Sequence, residues 1–218
     1  MPMYYVNFLR KMCKLKFHHS RNTLNHSSSS STISLGNSEA SLNDPNAIKI
    51  PFGVFLRKEF YSHKESSIFT SFQYMMMQKT NKYFNKTLRE AIADFVISNP
   101  EKFDGTFLGS DPESYCKAVI QEIKYGGTIE LILLADLFEI EIDILNLHSG
   151  TLTALGTGKY VEQRGFLLNN GLYFYPLYIL KKHDAKPITL FPVTDKGTYR
   201  KAVKLVKRKK LPGSLPFF

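Results

Sequence analysis

Apolar positions along the chain fall into short blocks of alternating character. Ile48 to Phe60 reads as extended chain broken by Pro51 and Gly53. Ile68 to Gln78 is apolar at most positions, which predicts a buried helix, with Met75, Met76 and Met77 packing in the core. Thr87 to Ile97 places Leu88, Ala91, Ile92, Phe95 and Val96 on one helical face, and Thr87 with Glu90 forms a capping-box pattern. Asn99-Pro100 stops that helix. Asp111 followed by Pro112 opens another that runs to about Lys124, where Gly126-Gly127 breaks the chain. Thr128 to Leu137 is a fourth, central helix. Glu141 to Leu147 alternates as a strand, and its carboxylates, with that of Glu139, read as a solvated face. Gly165 to Leu168 and Leu172 to Leu180 are strands around an Asn169-Asn170-Gly171 turn. Helices first and strands last predict an α+β domain with a mixed or antiparallel sheet packed between helices.

Charge divides the same chain into three parts. Residues 1–47 carry a net +3, with Arg10, Lys11, Lys14, Lys16 and Arg21 ahead of a serine run at 27–31. A basic, serine-rich, acid-poor start reads as an organellar presequence or a disordered extension. Residues 48–180, the folded domain, carry a net −2. Residues 181–218 hold eleven Lys and Arg against Asp184 and Asp195, which reads as a basic tail. Within it, Thr198 to Lys210 sets Tyr199, Ala202, Val203 and Val206 on one helical face. Arg200, Lys201, Lys204, Lys207 and Arg208 occupy the other faces, followed by Lys209 and Lys210. These seven cations are candidate nucleic-acid contacts, and the apolar face wants a partner. The whole chain of 218 residues carries +10.

Two cysteines, Cys13 and Cys116, exclude a disulfide scaffold. The six histidines show no ligand spacing with Cys or carboxylates, so no metal and no cofactor is expected. No apolar run is long enough for a membrane helix.

Several short motifs are collinear over about residues 55–178. They are Glu65-Ser66-Ser67-Ile68-Phe69-Thr70-Ser71, Leu88-Arg89, Asn99-Pro100, Leu108-Gly109, Tyr115-Cys116 and Tyr125-Gly126-Gly127-Thr128-Ile129-Glu130-Leu131. Ile140-Glu141-Ile142 and Asn170-Gly171-Leu172-Tyr173-Phe174-Tyr175-Pro176-Leu177 complete the set. In this order they resemble the OTU (ovarian tumour) domain, a papain-like cysteine protease fold that cleaves ubiquitin chains, and most of all its branch that works with AAA unfoldases. The resemblance implies a Cys nucleophile, a His base, an orienting Asp or Asn and an oxyanion loop. It aligns Ser67 with the nucleophile, Tyr173 with the base, Tyr175 with the orienting acid and Lys64 with the acidic residue opening the oxyanion loop. A hydroxyl without a base is a poor nucleophile, and a phenol is mostly protonated at neutral pH. Cys116 takes a packing role, and His63 beside Ser67 reads as a solvated loop residue.

The residues therefore predict a catalytically inactive OTU-like component of a large assembly. A mitochondrial ribonucleoprotein such as a mitoribosome fits the two basic ends, with the tail on rRNA and other proteins as neighbours. The alternatives are a ubiquitin-binding pseudo-deubiquitinase and an active thioesterase, and a cytoplasmic or nuclear location goes with either.

Overall fold

The computed structural model describes residues 47–49, 55–58, 66–77, 82–158, 161–180 and 187–208. Lys64, His63, Cys13, Lys209 and Lys210, and all but the last residue of the 1–47 extension, lie outside them.

In chain order the elements are β1 (Ala47–Lys49), β2 (Leu56–Lys58), α1 (Ser67–Met77), α2 (Lys82–Ile97), α3 (Gly105–Leu108), α4 (Pro112–Ile120) and α5 (Thr128–Phe138). Then follow β3 (Glu141–Asn146), β4 (Thr151–Leu155), β5 (Gln163–Asn169), β6 (Phe174–Tyr178), β7 (Leu190–Pro192) and α6 (Lys196–Arg208). The strands form one mixed sheet in the order β1-β2-β6-β5-β3-β4. β3 and β5 run parallel, with Ile142 opposite Gly165 and Ile144 opposite Leu167. β6 and β7 share the other edge of β5. β6 pairs with Leu167–Asn169 and β7 with Gln163–Gly165.

Helices cover both faces, so this is the α+β arrangement that the pattern predicts. On one face α1, α2, α4 and α5 enclose Phe69, Phe72, Leu88, Ile92, Leu131 and Leu134, together with Ile142, Ile144 and Leu167 of the sheet. On the other, α6 lays Ala202, Leu205 and Val206 over Leu145, Phe166, Leu168 and Leu177. The apolar stripe read from the basic tail thus finds its partner inside the molecule. The helix belongs to the body of the domain rather than to an appendage.

Local rules account for most boundaries. Asp111 caps α4 by accepting from the Ser114 N–H at 2.9 Å, with Pro112 in the first turn. That helix stops at Ile120, short of the expected Lys124, because Glu122 takes a left-handed φ of 61°. α2 begins at Lys82, so Thr87 lies inside the helix rather than at its cap. The residues before Thr87 include no Gly or Pro to stop the helix there.

One reading is reversed. Glu141 and Asp143 are not a solvated face: both are buried on the side of the sheet that α6 covers. Alternation along a strand marks two faces, and it cannot say that both are covered. Glu139 is exposed, with φ 55°, where α5 ends.

Candidate active site

α1 starts at Ser66-Ser67, where two elements distant in sequence converge. The Ser66 hydroxyl donates to the backbone carbonyl of Tyr125, tying the loop before α5 to the start of α1. The Ser67 hydroxyl oxygen accepts the Phe174 backbone N–H at 3.2 Å. One turn later the Ser71 hydroxyl donates to the Phe174 carbonyl at 2.7 Å. Ser67 and Ser71 are four residues apart and share a helical face. That face holds the first residue of β6 by both of its backbone groups.

The turn ahead of β6 is fixed by its asparagines. The Asn170 side-chain oxygen accepts from the N–H groups of Leu172 (3.1 Å) and Tyr173 (2.8 Å). Asn169 does the same for Gly171 at 2.6 Å. Gly171 takes φ 100°, a conformation that suits glycine. Tyr173 and Tyr175 flank Phe174, with their rings edge to face at 6.4 Å, and both are half-buried. Leu172 at the tip is 81% exposed.

The opposite wall is the loop 121–127. Arg89, buried on α2, donates to the carbonyls of Val119 (3.0 Å) and Lys124 (2.8 Å) and lies 4.1 Å from the centre of the Phe69 ring. Burial pushes the Arg89 guanidinium down from its ordinary value, against the opposing pull of Glu122 and Glu130. Glu130 in the first turn of α5 accepts the Gly127 N–H at 2.5 Å and the Tyr115 hydroxyl at 2.7 Å. Burial, and next the Glu130 charge, raise the Tyr115 phenol far above its ordinary value. Ile123 and Tyr125 project from this loop into solvent.

The structure therefore brings Ser67 to the start of β6, where Tyr173 and Tyr175 stand. Lys64 lies outside the described residues. Arg89, Glu130, Tyr115 and Ser71, which the motifs of the sequence contain without an assigned role, are supports. Arg89 and Glu130 hold backbone groups of a loop that has no periodic pattern of its own, and Tyr115 acts through the Glu130 carboxylate. Cys116 is the described cysteine. It is buried on α4, its thiol donates to the Ala93 carbonyl at 3.6 Å, and burial followed by the Asp94 charge pushes its pKa up. A protonated, packed thiol is not a nucleophile. His148, the one described histidine, is exposed in the β3–β4 turn. Among the described residues no group of three His, Cys, Asp or Glu is arranged to hold a metal. Nor is any described helix long and apolar enough to cross a membrane.

Of the seven cations assigned to nucleic acid, Arg200, Lys201, Lys204 and Lys207 are exposed on the outer side of α6. Arg208 ends the helix. Lys209 and Lys210 fall outside the described residues.

Residues 66–183 match the family described as OTU-like cysteine protease. Ubiquitin thioesterase Otu1 of Drosophila melanogaster is 30% identical over 154 residues, covering 71% of this chain and 44% of that protein. An ovarian tumour domain-containing deubiquitinating enzyme of Arabidopsis thaliana is 31% identical over 144 residues, covering 65% of this chain and 68% of the relative. A solved OTU domain in complex with ubiquitin superposes with a TM-score of 0.58 at 18% identity, over 70% of this chain and 86% of that one. The chain belongs to the OTU-like cysteine protease family. It matches less than half the length of the Drosophila relative.

These relatives correct the functional expectation drawn from the sequence. They are named for ubiquitin thioesterase and deubiquitinating activity, not for a ribosome, a mitochondrion or RNA. The mitoribosomal scaffold with an rRNA-binding tail is overturned, and inactivity is not a property that their names share. Basic composition at the chain ends suggested that assembly, and composition alone does not specify a partner.

Proposed function

We propose that this chain is a ubiquitin-recognition domain that does not perform the thiolate reaction of its family. The observation that carries the reading is at the start of α1. The resemblance aligns Ser67 with the nucleophile, and its oxygen accepts the Phe174 N–H. A serine hydroxyl needs a base within reach to attack an isopeptide carbonyl. The described residues place Tyr173 and Tyr175 at the start of β6, and the described cysteine and histidine lie on other elements.

What supports recognition is the frame. The two segments that meet the start of α1, the 121–127 loop and the 169–173 turn leading into β6, are each held by side-chain-to-backbone bonds. They present Ile123, Tyr125 and Leu172 to solvent. A pre-ordered surface binds without a large ordering cost.

The test is a calorimetric titration of the purified chain with monoubiquitin, alongside incubation with lysine-linked ubiquitin dimers followed by gel. Heat of binding with dimers left intact supports the reading. Release of monoubiquitin overturns the loss of catalysis, and absence of binding at several hundred micromolar overturns recognition.

A further inference from the structure

Beneath α6 the sheet buries three charged groups. Arg164 of β5 meets Glu141 of β3 at 2.7 Å and lies 3.7 Å from Asp143 of β3. Asp143 is fully buried, and neither of its oxygens has a hydrogen-bond partner. The Arg164 guanidinium stacks 4.6 Å from the centre of the Tyr199 ring, which α6 contributes. One cation is thus shared between two carboxylates and the helix that covers them.

Among the described residues, the surroundings contain no other compensation. β4, beside β3, contributes Thr151–Leu155, none of which titrates. The strand residues directly opposite Asp143 are Ala154 and Phe166. α6 turns Tyr199, Ala202, Leu205 and Val206 inward, while its cations Lys196, Arg200, Lys201, Lys204 and Lys207 are exposed to solvent. With Asp143 protonated, the buried set is neutral. With Asp143 ionised, it carries one uncompensated negative charge in an apolar layer, a costly state that water would relieve.

We propose that α6 is a proton-controlled latch. Protonation of Asp143 favours the helix docked over β3 and β5, and loss of that proton favours its release from the sheet.

The chemistry supports this sign. Burial first, and then the Glu141 charge, raise the Asp143 carboxyl to about 7, with Arg164 opposing. Opening would return the carboxyl to water and to its ordinary range. The docked state therefore binds the proton more tightly and is favoured at lower pH. Above pH 7 that advantage is lost. Release would uncover Phe166, Leu168 and Leu177, an apolar surface on the face of the sheet that carries Tyr175.

Hydrogen exchange of the full chain at pH 6 and pH 8, corrected for intrinsic rates, reads the latch directly. For a group titrating near 7, the opening constant of α6 should rise about tenfold between the two, while the α5 amides of Leu131–Leu137 hold steady. Asp143→Asn should abolish the rise. Glu141→Gln, which leaves one carboxylate for one guanidinium, should flatten it and serves if the first variant does not fold. Equal α6 protection at both pH values, an undiminished rise in a folded variant, or an equal rise in α5 would each overturn the latch.

Discussion

The Tyr115 hydroxyl donates to the Glu130 carboxylate at 2.7 Å, with both side chains buried. The other oxygen of that carboxylate holds the Gly127 N–H. One acid thus joins α4 to the start of α5 and to the loop that walls the site. Tyr115→Phe removes a hydrogen bond to a charged acceptor and leaves the buried carboxylate one donor short. A loss of roughly 1.5–3 kcal/mol in urea unfolding is expected. Loosening of the loop should also appear as faster exchange at Tyr125 and Gly126.

Met75 of α1 rests directly on Gly165 of β5. A methyl group added at Gly165 would sit 2.0 Å from the Met75 sulfur. Gly165→Ala should therefore cost about 1–3 kcal/mol through overpacking. Met75→Ala alone leaves a cavity, yet the double variant should be less destabilised than the sum of the two singles. A double-mutant cycle by denaturant unfolding measures that coupling, and strict additivity would show that the contact is slack.

On the proposed reading, giving Ser67 and Tyr173 the side chains that the resemblance aligns with them should not supply the family's chemistry. Ser67→Cys alone supplies a thiol with no imidazole beside it among the described residues. Ser67→Cys with Tyr173→His still lacks an acid at Tyr175 to orient the ring. Cleavage of ubiquitin dimers by either variant should stay orders of magnitude below that of an intact triad. Robust cleavage by the double variant in a timed gel assay would show that the frame needs only two side chains.

Asp195 precedes α6, and its carboxylate accepts from the Thr198 N–H (3.0 Å) and hydroxyl (2.6 Å). These bonds hold its carboxyl below the ordinary range. Its contribution is complete above the ordinary carboxylate range and fades as pH falls through the lowered value. Asp195→Ala should cost about 1 kcal/mol at neutral pH, whereas Asp195→Asn should retain most of the cap. Thermal unfolding at pH 7 and pH 3 distinguishes them, since the wild-type advantage over Asp195→Ala should shrink in acid.

Elements whose signals are local could be read from the sequence. The Asp111-Pro112 cap, the Leu88/Ile92/Val96 stripe and the Asn170-Gly171 turn all stand where their residues predict. β4 escaped notice because Thr151–Leu155 is an edge strand with little buried surface, and β7 because it has three residues. The burial of Glu141 and Asp143 depends on α6 arriving from fifty residues downstream, which alternation cannot announce. The same long-range contact turned an apolar stripe that wanted a partner into a self-contained interface. Within the site, the resemblance aligned Ser67 and Tyr173 with the family's catalytic positions, and the structure sets Ser67 against Phe174, next to Tyr173. The bonds from Ser71 and Arg89, and that from the Gly127 N–H to Glu130, could not be read because one end of each is a backbone atom.

The bonds from Ser67 and Ser71 to Phe174 span 107 and 103 positions of the chain. β2 likewise waits for β6, pairing Leu56 with Tyr178. Contacts that close such long loops form slowly, because the entropy of closure precedes any gain. The site is therefore among the last parts of the domain to assemble. On a chain emerging from synthesis, α1 waits for about a hundred further residues before it meets the strand that completes it.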